Sequence, residues 1–298
     1  MAISRPTCPP INTEIPLPDY RIKSMSRDEV DVAVAWAARE GWNPGLHDAD
    51  CFHATDPTGF LLGMLGEQPI ATISVVAYGD AFGFLGFYIV DPNERGKGYG
   101  IQIWRAGMAY LGERNVGLDG VVAQQDNYRK SGFALAYRNI RYGGDVPRPT
   151  PRPGRLQLVP IDRVPFATLA AYDRPLFPAP REAFLRCWIA RPGTVARAAL
   201  SDGAIVGYGA IRPCRTGYKI GPLFANDATI AEALFLDLAT AIPSGPVFLD
   251  TPEPNRAAVA LAERHGLKPV FETARMYTKG APNIDLGRVF GVTTFELG

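Results

Sequence analysis

The hexapeptide Arg95-Gly96-Lys97-Gly98-Tyr99-Gly100 constrains the fold of this chain more than any bulk property does. It follows an apolar, aromatic run, residues 82–90, that is closed by Asp91-Pro92. It opens residues 101–111, whose apolar positions recur at helical spacing. A strand that turns through glycines into a helix leaves several backbone N–H groups at the positive end of the helix dipole. Such an end binds phosphate oxygens. Glycine is required there because a side chain would hold the phosphate away from the backbone.

Three phosphate-binding arrangements use glycines in this way. A P-loop needs Lys followed by Ser or Thr after a longer spacer, and Lys97 is followed by Gly98. A dinucleotide fold places its glycines in a first βαβ unit; here a long strand-bearing stretch precedes them, although Asp119 lies at a suitable distance for a ribose contact. The third arrangement uses the leading arginine. The pattern Arg95-x-x-Gly98-x-Gly100 resembles the acyl-CoA pyrophosphate loop of the GCN5-related N-acetyltransferases, the GNAT superfamily. A strand-like Gly120-Val121-Val122-Ala123 follows, and then Asn127-Tyr128-Arg129-Lys130-Ser131-Gly132-Phe133, which resembles the second cofactor motif of that superfamily. Loop, strand and Tyr-x-x-x-Gly-Phe in this order set the superfamily reading above the other two.

A chain of 298 residues is long enough for two cores. Basic and acidic residues nearly cancel, 31 against 30, which leaves no electrostatic footprint for nucleic acid or an anionic membrane. The longest apolar run, around residues 81–90, is too short to span a bilayer, and the N-terminus lacks a signal-peptide pattern. Cys8, Cys51, Cys187 and Cys214 are scattered, and His47, His53 and His265 have no ligand spacing. The expectation is a cytoplasmic protein with reduced thiols and no metal site.

The stretch Gly143-Gly144-Asp145-Val146-Pro147-Arg148-Pro149-Thr150-Pro151-Arg152-Pro153-Gly154 breaks the chain near its middle, because alternating prolines deny both helix and central strand. The expected organisation is an extended arm over residues 1–18, an acetyltransferase-like domain over 19–147, a Pro-rich linker over 148–155 and a second domain over 156–298. Ser26 with Glu29 predicts a capped helix over residues 26–39. Strands are expected over 60–64, 70–78, 82–90, 118–123 and 134–142, an order similar to that of the superfamily. The second half repeats the plan: strand 156–160, helices 166–172 and 182–189, hairpin 195–212, strand 219–223, a helix to 238, strand 247–249, helix 255–265, strand 270–277 and a closing segment 289–296. It resembles the acetyltransferase-like domain found C-terminal to a GNAT domain. The implied fold is α+β: two tandem GNAT-like domains, each a mixed, mostly antiparallel central sheet flanked by helices. In the second half Ala225-Asn226-Asp227-Ala228 stands where the glycine loop would be. Asp227 would repel phosphate and suits a helix N-cap, so this half is not expected to bind CoA in the usual way.

The resemblance implies an N-acetyltransferase that moves acetyl from acetyl-CoA to a small-molecule amine. Backbone amides of Gly96, Lys97, Gly98, Tyr99, Gly100 and Ile101 would hold the pyrophosphate, with Arg95 as the loop's own cation. Tyr88, Ile89 and Val90 would hold the pantetheine arm where the strand splays from its neighbour at Val90. A backbone donor near Ile89 or Val90 polarising the carbonyl is worth about 3 kcal/mol. Tyr128 is the candidate general acid, since a phenol is protonated at neutral pH; packing beside Phe133 is its plain alternative. Asn127 would touch the pantetheine or cap its helix, and Lys130 could face the 3′-phosphate. Deprotonating an alkyl ammonium at pH 7 costs roughly 4 kcal/mol. Asp119, ahead of Glu40 and Asp48, is the candidate base, with a strand-end cap as its alternative. Glu40, Trp42, Asn43, Asp48 and Phe52, in the segment after the first helix, together with Gln124, are candidates to bind the acceptor. Trp36 and Trp104 are expected in the core. A non-catalytic acyl-CoA sensor is the rival reading, and oligomeric state is not readable.

Overall fold

The computed structural model describes residues 19–146 and 156–298. The arm expected over 1–18 and the linker over 148–155 lie outside the described residues. The first half runs β1 (Tyr20–Ser24), α1 (Arg27–Arg39), α2 (Asp48–Thr55), β2 (Phe60–Leu65), β3 (Gln68–Tyr78), β4 (Phe82–Val90), α3 (Tyr99–Leu111), β5 (Asn115–Val121), α4 (Gln125–Lys130) and β6 (Ala134–Gly144). The second runs β7 (Gln157–Pro160), α5 (Phe166–Asp173), α6 (Glu182–Ala190), β8 (Val195–Ser201), β9 (Ala204–Pro213), β10 (Tyr218–Ala225), α7 (Ala228–Thr240), β11 (Val247–Pro252), α8 (Arg256–Arg264), β12 (Lys268–Tyr277) and β13 (Val289–Gly291).

Local chemistry sets these boundaries. Ser26 and Glu29 form the reciprocal capping box at the start of α1, worth about 1 kcal/mol. Trp36 and Trp104 are buried in the core, as expected from their apolar helix faces. The chain leaves β4 through Asp91, whose side chain accepts the Asn93 N–H, and Pro92 begins a short 3₁₀ turn where its missing N–H costs nothing.

The two mixed sheets join into one of thirteen strands, in the order β1-β2-β3-β4-β5-β12-β6-β11-β10-β9-β8-β7, with β13 pairing β10 off this path. The order shows an exchange. β12, from the second half, pairs β5 of the first, and β6, from the first half, pairs β11 of the second. β12 and β6 then pair with each other along most of their length. Each half thus covers the exposed edge of the other, an edge that would otherwise present unpaired backbone groups. A cut near residue 148 divides the chain in sequence, but β6 and β12 cross that divide in space.

Further bonds fasten the halves. Asn43 and Thr216 exchange two hydrogen bonds of 2.9 Å, and Lys219 Nζ donates to the Asn43 carbonyl at 3.0 Å. Buried Asp48 accepts from Arg191 at 2.7 Å and from Arg212 at 3.0 Å. Cys51 of α2 is disulfide-bonded to Cys187 of α6, while Cys214 is free and buried. This corrects the expectation of reduced thiols: the two cysteines are 136 residues apart in sequence, and only the packing of α2 on α6 brings them together.

Among the described residues only β4 with β5 and β10 with β11 are parallel pairs, each joined through one long helix, α3 or α7. Both pairs are short. β4 and β5 pair from Phe82–Asn115 to Leu85–Leu118 and then part. The divergence therefore starts after Leu85 rather than at Val90. The cause is a bulge: the register of β4 on β3 shifts between Ser74–Gly86 and Thr72–Ile89, and Phe87 takes φ 46°. β10 and β11 pair only from Tyr218–Val247 to Ile220–Leu249.

Candidate active site

The gap between β4 and β5 is a cleft of about 500 Å³ of empty space, counting its open mouth. Its β4 wall is Leu85, Gly86, Phe87 and Tyr88, and its β5 wall is Leu118, Asp119, Gly120 and Val121. Tyr128 closes one side, and Trp42, Phe271, Thr273, Phe295 and Glu296 complete the lining. The sheet geometry dictates this place. Two parallel strands that stop pairing leave a slot whose edges carry backbone groups free of sheet partners.

The glycine loop stands at the start of α3. Gly96 and Gly98 have φ 79° and 89°, values that a residue with a side chain adopts only with strain. Gly98 is the N-cap and makes no side-chain capping bond, so the first turn of α3 faces the exposed loop without a capping acceptor. An uncapped helix start of this kind is a ready anion site. Arg95 fastens the loop: its Nε donates to the Val90 carbonyl at 2.9 Å, and one terminal nitrogen donates to Glu40 at 2.6 Å. Lys97 pairs with Glu94 on the exposed surface. Tyr99 is buried against Tyr20, with ring centroids 4.9 Å apart, and Ile101 is exposed. At these last positions it is the backbone that faces the loop's function.

Tyr128 sits on α4, its ring stacked on Trp104 at 5.9 Å, and Trp104 meets Tyr88 edge-on at 5.1 Å. Burial, with Tyr88 nearby, pushes the Tyr128 phenol up to about 12. Burial also raises Tyr88. Ile89 and Val90 pair with Thr72 and Ala71 of β3, so the cleft wall lies just before them, at Gly86–Tyr88 by residue number 86–88. Asn127 donates to Gln124 Oε1 at 2.7 Å on the exposed end of α4, and Lys130 is exposed. Neither Asn127, Gln124 nor Lys130 is in the cleft lining.

Asp119 does line the cleft, but its carboxylate is taken. Arg275 of β12 donates twice, at 3.0 and 2.5 Å, Asn139 donates at 2.7 Å and Thr273 at 3.2 Å. Its lone pairs are filled by a guanidinium, an amide and a hydroxyl, which leaves no oxygen facing the cleft without a protein donor. This corrects the reading of Asp119 as base: it ties β5 to the exchanged strand.

The segment after α1 divides. Trp42 reaches the cleft, and its carbonyl accepts from Arg141 at 2.6 Å. Glu40 serves Arg95, and Asn43 serves Thr216 and Lys219. Asp48 is buried among arginines, and Phe52 is in the core between Phe87 and Trp188. These four are corrected from acceptor contacts to fastenings of the loop and of the second half. Burial opposes ionisation of Asp48, yet Arg212 and Arg191 hold its carboxyl below the ordinary value.

Sequence reasoning missed Phe271, Phe295 and Glu296, all from the second half. Of the closing segment 289–296, only Val289–Gly291 pair as a strand. They do so in the gap between β10 and β11: Leu223 faces Gly291, Phe224 faces Val289, and the Val292 N–H donates to the Asp250 carbonyl at 2.8 Å. The second half's gap is thus filled by its own chain. Asp227 caps α7 by accepting the Ile230 N–H at 2.9 Å, as the sequence suggested.

Among the described residues, no group of three or more His, Cys, Asp or Glu could hold a metal, and no helix is long and apolar enough to cross a membrane. Residues 23–133 match the Acetyltransferase (GNAT) family, and residues 169–291 match an Acetyltransferase (GNAT) domain. Holothin acyltransferase of a Pseudoalteromonas species is 31% identical over 277 residues, which is 93% of this chain and 94% of that protein. Among solved structures, a putative acetyltransferase from Pyrococcus horikoshii superposes with TM-score 0.79 at 20% identity, covering 95% of this chain and 97% of that one. A tandem GNAT protein from the clavulanic acid biosynthesis pathway superposes with TM-score 0.62 at 13% identity, covering 89% and 99%. Two matched halves, a full-length relative above 30% identity and a shared tandem architecture have one meaning: the chain belongs to the GNAT superfamily in its tandem form, and it is an acyl-CoA-dependent acetyltransferase.

Proposed function

We propose that the first half transfers the acetyl group of acetyl-CoA to a primary amine of a small molecule, by direct attack with both substrates bound. The observation that carries this reading is the placement of Tyr128 in a cleft that opens beside an uncapped, glycine-started helix. Acetyl-CoA, when bound, supplies an acyl carbon activated as a thioester. The first-turn amides of α3 and the loop residues 96–100 fit a pyrophosphate, because positive φ at Gly96 and Gly98 turns backbone rather than side chain toward the ligand. The bulged wall at residues 86–88 fits a pantetheine arm as an added strand. Tyr128 keeps its proton throughout the neutral range and donates it toward a departing sulfur.

Trp42, Phe271 and Phe295 give the far part of the cleft an aromatic lining. Such walls suit a compact carbon skeleton rather than an extended chain of polar contacts. A relative named for acylating holothin lends support to acyl transfer. The test is release of CoA thiol from acetyl-CoA against pooled amino acids, polyamines, amino sugars and aromatic amines. Release that depends on one amine pool is expected. Turnover with hydroxyl or thiol acceptors alone would overturn the amine reading.

A further inference from the structure

Phe295 and Glu296, from the second half, line the cleft of the first. After β13 has filled the gap of the second half, residues 292–298 continue into the first half and pass β4 at its bulge. There the Glu296 carbonyl lies so close to Gly86 that a β-carbon at that position would sit 2.3 Å from it. Only glycine lets the tail approach β4 at the point where β4 parts from β5. Two bonds from Thr294 Oγ1, accepting the N–H groups of Glu296 and Leu297 at 3.1 and 2.8 Å, fix the turn of the tail. Tyr78 donates to the Leu297 carbonyl at 3.0 Å, which pins the end of the chain to β3.

This route places Glu296 in the cleft lining together with Tyr128. Glu296 is 3% exposed, and its Oε2 is buried without a hydrogen-bond partner among the described residues. Asp48, Asp119, Asp173 and Asp250 are the contrast, since each of those buried carboxylates is held by an arginine. A buried carboxylate oxygen left without a donor costs stability, and such groups in folded proteins call for an explanation by function or ligand. The charged groups around Glu296 are Lys219 on β10, Asp48 on α2, Arg141 on β6 and Arg212 on β9. Burial raises its carboxyl above the ordinary value, Asp48 adds to the rise, and Lys219, Arg141 and Arg212 oppose it.

We propose that Glu296, delivered by the C-terminal tail of the second half, receives the acceptor amine in the first half's cleft and takes its proton. The proposal rests on the amine reading above. The acceptor ammonium gives one proton to the Glu296 carboxylate; the neutral nitrogen then forms its bond to the acyl carbon and releases a second N–H proton to solvent. The carbon–sulfur bond breaks, and Tyr128 gives its proton to the sulfur. Proton return from Glu296 to Tyr128 through solvent resets both groups. The degenerate half thereby acquires a role: its plugged gap is the guide that aims a catalytic carboxylate across the interface.

The test is the pH profile of kcat/KM for wild type, Glu296→Gln and Glu296→Asp, with affinities measured separately by calorimetry for CoA and for the amine in the presence of CoA. Glu296→Gln is expected to lower kcat/KM about 100-fold or more near neutral pH. The deficit should shrink as pH rises and the acceptor deprotonates in solution. Amine affinity should fall while CoA affinity holds. A deficit that is constant across pH, with the wild-type profile retained, would mean a structural role and overturn the proposal. Glu296→Asp keeps the negative charge among Lys219, Arg141 and Arg212, so it carries the test if the Gln variant is poorly folded. It is expected to be slower with a wild-type-shaped profile, and full activity in it would overturn the placement of the carboxylate. If wild type acylates only hydroxyl or thiol acceptors, the amine reading falls. The same pH comparison on those acceptors still decides whether Glu296 is a base.

Discussion

The two gaps in the sheet have the same origin and opposite contents. β4 with β5 and β10 with β11 are the parallel pairs, and each parts after a few residues. At the first, α3 begins on Gly98 with no side-chain cap. At the second, α7 begins on Asp227, which caps it. The first gap is an open cleft lined by Tyr128, while the second holds β13. A capped helix start and a filled slot together remove both features that a phosphate-bearing thioester needs. A glycine at one helix start against an aspartate at the other, and a strand laid into one slot, set an open cleft apart from a filled one on the same scaffold.

The comparison can be broken or sharpened by substitutions at four positions. The largest effect should come from Asp48→Ala, which strands Arg191 and Arg212 in the interface between the halves. A loss of about 3–5 kcal/mol is expected, read from urea denaturation. The pH dependence has a definite sign. The Asp48 carboxyl is held below its ordinary value by Arg212 and Arg191 against burial, so its stabilisation is present above the ordinary carboxylate range. It is lost as pH falls through the lowered value, and Asp48→Asn should remove that acid loss.

Next, Gly98→Glu should weaken CoA binding by about 100-fold or more, because it adds a strained, negatively charged side chain at the anion site. Calorimetry on wild type should count one CoA per chain, and a count of two would break the comparison. Tyr128→Phe should lower kcat about tenfold or more and leave CoA affinity unchanged; a wild-type rate would remove the phenol from the chemistry. Smallest is Asp227→Ala, which should cost about 1 kcal/mol in thermal denaturation and leave turnover unaltered. A change in turnover there would show that the second half's helix start acts on the reaction.

Much of the first half was legible because its signals are local. The Ser26–Glu29 capping box, the glycines before α3 and Tyr128 before Gly132-Phe133 each act within a few residues, and each stands where its pattern placed it. The Asp227 cap was legible for the same reason. What the sequence hid depends on distant partners. Nothing near Asp119 tells of Arg275, 156 residues away, which turns a candidate base into a structural ion pair. Asp48 has the carboxylate expected of an acceptor contact, yet Arg212, 164 residues on, claims it. α2 was missed because Gly45-Leu46-His47 before it reads as loop and its start has no side-chain cap. Glu296 carries no motif at all, since its place is set by the path of the tail through two gaps.

The exchange of β6 and β12 also sets an order of events at synthesis. When the first half leaves the ribosome, the edge of β5 has no partner from its own half, because that partner is residues 268–277, still to be made. The cleft wall therefore cannot be completed until residues 268–277 have emerged, and a stop between residues 146 and 268 yields an unfinished sheet rather than a smaller folded unit. Quality control is thus written into the topology: only a chain read through β12 can close the wall beside β5.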